Sequence, residues 1–169
     1  MKRQSIGLIL IMVFLLSFSG ITLAQQILPF EVEAGSAVLL DFESGQILYS
    51  HNGGEPHVPA SLVKIMTMYV AFDDIKAGRV SLQDAATVSE RAWRMTGSRM
   101  FLEPGEVVTI EQLLMGIAVV SGNDACVALA EALAGNEDVY VGRMNEKARS
   151  LNLNLQFVDV HGLSTENRI

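Results

Sequence analysis

The rhythm of apolar and polar positions changes several times along the chain, and each change marks a predicted element. Lys2 and Arg3 are followed by an apolar run from Ile6 to Phe18, and small residues then lead to Thr22-Leu23-Ala24. That order has the form of a secretory signal peptide cleaved after Ala24, with a retained N-terminal anchor as the alternative. Residues 25–169 are then the folded part. Ser36–Asp41 and Gln46–Ser50 are short apolar runs around the turn-like Phe42-Glu43-Ser44-Gly45, which predicts a β-hairpin. A loop over residues 52–56 leads into a helix over Ala60–Ala77, with Leu62, Ile65, Met66, Tyr69, Val70 and Phe72 as its apolar positions and Gly78 as its stop. Residues 81–99 read as irregular, with a short helix over Ser89–Met95. Thr109 with Gln112 three positions on predicts a capping box for a helix over Ile110–Val119. That helix is so apolar that burial on all sides is expected. Ser121-Gly122-Asn123 interrupts the pattern. A second helix follows from Asp124 to Ala134, and a third from Asp138 to Leu151 with Val139, Val141, Met144 and Ala148 facing inward. Leu155–Asp159 predicts a short strand, and His161-Gly162-Leu163 a turn.

Composition narrows what such a chain can do. Of 12 Lys and Arg against 19 Asp and Glu, two cations lie in the leader, so the net charge of −7 becomes −9 in the mature part. An acidic exported chain is a poor partner for nucleic acid. Apolar residues make up 50% of the sequence, enough for one buried core. The single cysteine, Cys126, cannot form an internal disulfide and reads as a small buried hydrophobe. His51, His57 and His161 are scattered, so no metal-site spacing and no cofactor motif is present.

The candidate chemistry lies in Pro59-Ala60-Ser61-Leu62-Val63-Lys64. Positions i and i+3 share a helix face, so the Ser61 hydroxyl and the Lys64 amine should be neighbours. A serine hydroxyl needs an adjacent base to act as a nucleophile, and a lysine serves only if burial or nearby charge lowers its pKa. The N–H groups at a helix start also favour negative charge developing there. S-x-N occurs at Ser50-His51-Asn52, Ser121-Gly122-Asn123 and Ser150-Leu151-Asn152. The first and last end ordinary elements. Ser121-Gly122-Asn123 separates two apolar helices, so it is either an interhelix turn or a loop that projects a hydroxyl and an amide into a cleft.

Taken in order, Pro59–Lys64 and Ser121-Gly122-Asn123-Asp124-Ala125 resemble the penicillin-binding D-alanyl-D-alanine carboxypeptidases. The hairpin ending in Asp41–Gly45, the segment Gly97–Leu102, and Met144-Asn145 are also similar to that family. So is Phe157–Leu163, where Asp159 replaces the family's usual Asn. The resemblance implies an α/β (α+β) fold of the β-lactamase/transpeptidase type, a helical cluster with an antiparallel sheet. It implies Ser61 as acyl-ester nucleophile, Lys64 as general base, Ser121 as proton shuttle, and Asn123 as a residue that holds substrate or orients Lys64. The implied substrate is the D-Ala–D-Ala end of a peptidoglycan stem peptide, with β-lactams as inhibitors. The place of action is outside the cytoplasm, in the periplasm or on the outer face of the membrane. A C-terminal amphipathic anchor on the membrane surface is a family habit that would lie outside these residues.

The family's third element, K-T-G on a sheet strand, has no match; Lys76-Ala77-Gly78 precedes the S-x-N loop and ends a helix. In the family that strand lies downstream of where this sequence stops, and it supplies an oxyanion donor. Residues 25–169 are therefore expected to be an incomplete catalytic domain lacking C-terminal strands, inactive and poorly folded alone. Class A β-lactamases share the S-x-x-K but use S-D-N and a glutamate; Glu166, in Thr165-Glu166-Asn167-Arg168, lacks that setting. A D,D-endopeptidase and a non-catalytic peptidoglycan-binding protein are further alternatives.

Overall fold

The computed structural model describes residues 32–169, so the signal-peptide segment lies outside the described residues. The chain divides into two units, one ending at Glu55 and one covering Pro56–Ile169. In the first, β1 (Ala37–Leu40) pairs antiparallel with β2 (Ile47–His51), with a bulge between Leu39 and Leu40. The expected turn joins them. The Asp41 carboxylate accepts the backbone N–H and the hydroxyl of Ser44, and Gly45 takes φ +69°.

The second unit is mainly helical. A 3-10 turn (Ala60–Leu62) runs into α1 (Val63–Lys76), and Gly78 stops it at φ +69°. Then come β3 (Ala85–Thr87), α2 (Glu90–Trp93), β4 (Val107–Thr109), α3 (Ile110–Val120), α4 (Asn123–Ala134) and α5 (Glu137–Ser150). β3 and β4 pair antiparallel. Neither strand was expected, because three residues are too few to show alternation. The capping box is complete: Gln112 N–H donates to Thr109 Oγ1 and Thr109 N–H to Gln112 Oε1. α4 is the central helix, with residues 123–130 all buried, and Gly135 closes it at φ +81°.

Three expectations need correction, and the apolar positions of α1 divide between two faces. α3 is not buried all round. Ile110, Leu113, Leu114 and Ile117 face the core, while Met115, Val119 and Val120 are exposed, as a 3.6-residue period dictates for a helix covered on one side. α5 buries Met144 and Ala148 as expected, but Tyr140 is buried where Val139 was expected, Val139 is exposed and Val141 is half-buried. In α1, Met66 and Val70 are buried with Val63 and Ala71, whereas Ile65, Tyr69 and Phe72 are exposed, as is Leu62 in the 3-10 turn before it. Leu155–Asp159 forms no strand, only a single antiparallel bridge between Gln156 and Arg168.

Polar links tie α1 to α5. Buried Asp74 accepts hydrogen bonds from Arg79 and Arg143, and Arg143 also donates to the Leu133 carbonyl. Burial alone would raise the Asp74 carboxyl, but the two guanidiniums hold it below the ordinary carboxylate value. A depressed carboxylate stabilises the fold above its unfolded value and loses that contribution as pH falls through the folded one. Asp74→Ala is expected to cost about 2 kcal/mol at pH 7 in urea unfolding, a figure kept low because Arg79 is mostly exposed. The gap between wild type and variant should close in strong acid.

Candidate active site

The second unit gathers its reactive side chains where α1 begins and α3 gives way to α4. Ser61 lies in the 3-10 turn and is exposed; Lys64, on the first turn of α1, is only 3% exposed. The i, i+3 spacing places Lys64 Nζ 3.1 Å from Ser61 Oγ, and Nζ also donates to the His161 carbonyl at 2.7 Å. Two acceptors hold the amine. Burial lowers its pKa, opposed by negative charge at Asp159. Buried Cys126 stands nearby, but its thiol is pushed up to about 12 and stays neutral at ordinary pH.

Ser121 ends α3 in the left-handed region, φ +57°, and Gly122 starts α4. This break turns the Ser121 hydroxyl outward to donate to Ser61 Oγ at 3.1 Å. Of the two open readings of Ser121-Gly122-Asn123, the geometry supports the projecting loop. Asn123 serves the loop's other side: its Nδ2 donates to the Thr96 carbonyl at 2.6 Å and its backbone N–H to Ser98 at 2.8 Å. The amide therefore holds the segment between α2 and β4, and it bonds to Thr96, not to Lys64. The neighbouring Asp124 carboxylate accepts N–H from Met100 and Leu102, fixing the same segment. Ser61, Lys64 and Ser121 thus form one chain of oxygens and nitrogen, with the exposed Ser61 hydroxyl between the half-buried Ser121 hydroxyl and the buried amine. Such a chain can take a proton from Ser61 and pass one on.

Residues 157–164 form the wall behind Lys64; the family resemblance marked Phe157–Leu163 and Met144-Asn145, but not the contacts that hold them. Thr67 Oγ1, on the buried face of α1, donates to the Val160 carbonyl at 2.7 Å. Tyr140 donates its hydroxyl proton to the Thr67 carbonyl at 2.8 Å. The Asn145 side chain brackets Phe157, accepting its N–H at 2.9 Å and donating to its carbonyl at 2.8 Å. Gly162 takes φ +88° and packs directly on the Ala60 carbonyl. A polar Thr67 inside the apolar face of α1 was the one local signal that could have announced this wall. Glu166 is exposed and belongs to a turn over Ser164. Among the described residues, no group of three or more His, Cys, Asp or Glu could hold a metal ion.

Comparison with known proteins fits this geometry. The family model described as D-alanyl-D-alanine carboxypeptidase (peptidase S11) matches residues 22–169. The chain belongs to that family. The D-alanyl-D-alanine carboxypeptidase DacF of Bacillus subtilis is 42% identical over 171 residues, covering 98% of this chain and 44% of the relative. DacA of Escherichia coli is 42% identical over 146 residues, covering 82% and 36%. Among solved structures, penicillin binding protein 5 of Haemophilus influenzae superposes with TM-score 0.79 at 38% identity, covering 84% of this chain and 43% of that one. Penicillin binding protein 6B of Escherichia coli gives 0.78 at 41%, covering 83% and 47%. The chain spans less than half the length of these relatives. The fold is therefore that of the penicillin-binding D,D-peptidases, α/β with helices beside small antiparallel sheets.

The protonation of Lys64 leads to a prediction. A base must be neutral, and its burial means that this occurs below the ordinary lysine value of 10.5. If Ser61 is the nucleophile and Lys64 its base, acylation is expected to rise with pH and level off before 10.5, in stopped-flow measurements with a chromogenic β-lactam. A rate that falls across the same range would contradict Lys64 as base. The same depression makes the unfolded chain the stronger proton binder, so Lys64 weakens the fold at neutral pH and less so as pH rises through its folded value.

Proposed function

We propose that this protein is a serine-type D,D-carboxypeptidase of the cell wall, with Ser61 as its nucleophile. Ser61 Oγ attacks the carbonyl carbon of the penultimate D-alanine in a peptidoglycan stem peptide, and its proton passes to neutral Lys64. The tetrahedral intermediate collapses, the D-Ala–D-Ala amide bond breaks, and the leaving amine takes a proton through Ser121. The acyl-ester on Ser61 is then hydrolysed: Lys64 accepts a proton from water, and Ser61 regains its own. The backbone N–H of Ser61, at a helix start, is one donor to the oxyanion. Asn123 anchors the segment over residues 96–102 that borders the substrate. A β-lactam acylates the same hydroxyl. The chemistry places the working site outside the cytoplasm, where an N-terminal export signal delivers it.

The observation that carries this reading is the hydrogen-bonded series Lys64–Ser61–Ser121. Incubation of the full gene product with a D-Ala–D-Ala pentapeptide, followed by assay of free D-alanine, tests it. Release that disappears in Ser61→Ala is expected. Hydrolysis of a cephalosporin without D-alanine release would favour a lactamase instead, and cleavage of cross-linked dimers alone would favour an endopeptidase.

A further inference from the structure

Behind Lys64, the shape of one turn depends on a single carboxylate. Asp159 is 7% exposed. Its Oδ1 accepts N–H from His161 at 3.0 Å and from Gly162 at 2.6 Å, and its Oδ2 accepts N–H from Ser164 at 2.7 Å. Three donors converging on one side chain fold residues 159–164 back on themselves. That fold turns the His161 carbonyl toward Lys64 Nζ. It also sets Gly162 against the Ala60 carbonyl, next to Ser61. One side chain therefore shapes both supports of the nucleophile and its base.

We propose that Asp159 is a positioning residue for Lys64, acting through the turn that presents the His161 carbonyl to the amine and through its own negative charge. The inference rests on the reading of Lys64 as the base. Other charges around Lys64 are neutral or paired. Cys126, from α4, is a thiol. Burial pulls the His161 pKa down, and its Nδ1 accepts the Leu163 N–H at 3.2 Å, which leaves the ring proton on Nε2, 3.6 Å from Glu137 Oε1. Glu137, from α5, is paired with Arg91 of α2. Asp159 itself is ionised: burial would raise its carboxyl, but N–H groups of Gly162 and Ser164 pull it below the ordinary value. Asparagine at this position would keep the Oδ1 bonds, lose the charge, and aim an NH2 at the Ser164 N–H. Both a loosened carbonyl and a lost charge favour the neutral amine.

The test is a titration that needs no turnover, so it stands apart from whether Ser61 is acylated. The chain has four lysines, Lys2, Lys64, Lys76 and Lys147. With 13C at lysine Cε, the Lys64 resonance is identified by its loss in Lys64→Met. In Asp159→Asn the Lys64 midpoint is expected to fall by about one pH unit. Asp124→Asn, which neutralises a different buried carboxylate, should leave it in place. A midpoint unmoved by Asp159→Asn, or moved equally by Asp124→Asn, overturns the proposal. If Asp159→Asn does not fold, Asp159→Ser keeps one short acceptor without the charge, and the same downward shift is required of it.

Discussion

Replacing Gly162 by alanine is expected to do more damage to this protein than any other single-methyl addition to the site. Two costs combine there. A non-glycine residue at φ +88° is strained by about 1–2 kcal/mol. A Cβ would also lie 1.8 Å from the Ala60 carbonyl oxygen and 2.4 Å from its carbon, with Ser61 N at 3.1 Å. Those atoms are backbone and cannot rotate aside, so the turn or the start of the helix must move. Overpacking of that kind adds about 1–3 kcal/mol. A total near 3 kcal/mol should lower the melting temperature by about 10 °C for a chain of this length. Ala60 is itself left-handed, φ +48°, and the nucleophile follows it directly. Displacing Ser61 by about 1 Å should slow acylation about 10²-fold. Gly135→Ala is the control, since φ is +81° but no atom lies within 4 Å. It should show the strain alone and acylate normally. Equal melting shifts in the two variants, with acylation intact in both, would contradict the close approach.

Substitution of Lys64 should have the second large effect, and the choice of substitute separates two roles. Lys64→Met removes both charge and base, and acylation should fall about 10²–10⁴-fold. Lys64→Arg keeps a cation but cannot give up its proton at working pH. If Lys64 acts as base, arginine is as poor as methionine. If the amine serves only as a nearby positive charge, arginine should restore much of the rate. Melting curves for both variants separate loss of chemistry from loss of fold. Lys64 is buried between Ser61 Oγ and the His161 carbonyl, so the larger guanidinium must also displace that wall.

Elements with strong local signals were legible in the sequence. The capping box at Thr109 and Gln112, the glycine stops at Gly78 and Gly135, and the turn at Asp41–Gly45 all appear as expected, because each is decided within a few residues. Ser61 with Lys64 was legible for the same reason, since one helical turn brings them together. Ser121 was legible as an interruption between apolar helices, though its contact with Ser61 spans 60 positions. The wall behind Lys64 was legible only as the family-like segment Phe157–Leu163, not in its contacts. Asp159, His161 and Glu137 come from two segments, and nothing local marks them as neighbours. Which face a helix buries was only partly legible, because an evenly apolar helix such as α3 does not reveal which side meets the core. β3 and β4 are stabilised by pairing across the intervening residues 88–106, so their own short sequences carry little signal.

The most direct measurement of the central claim is intact-mass and peptide-mapping mass spectrometry of the full gene product after incubation with benzylpenicillin. The account predicts one adduct with the mass of the whole antibiotic, carried by the peptide containing Ser61, absent in Ser61→Ala and greatly slowed in Lys64→Met. An unmodified protein, or an adduct that persists in Ser61→Ala on another residue, would contradict it.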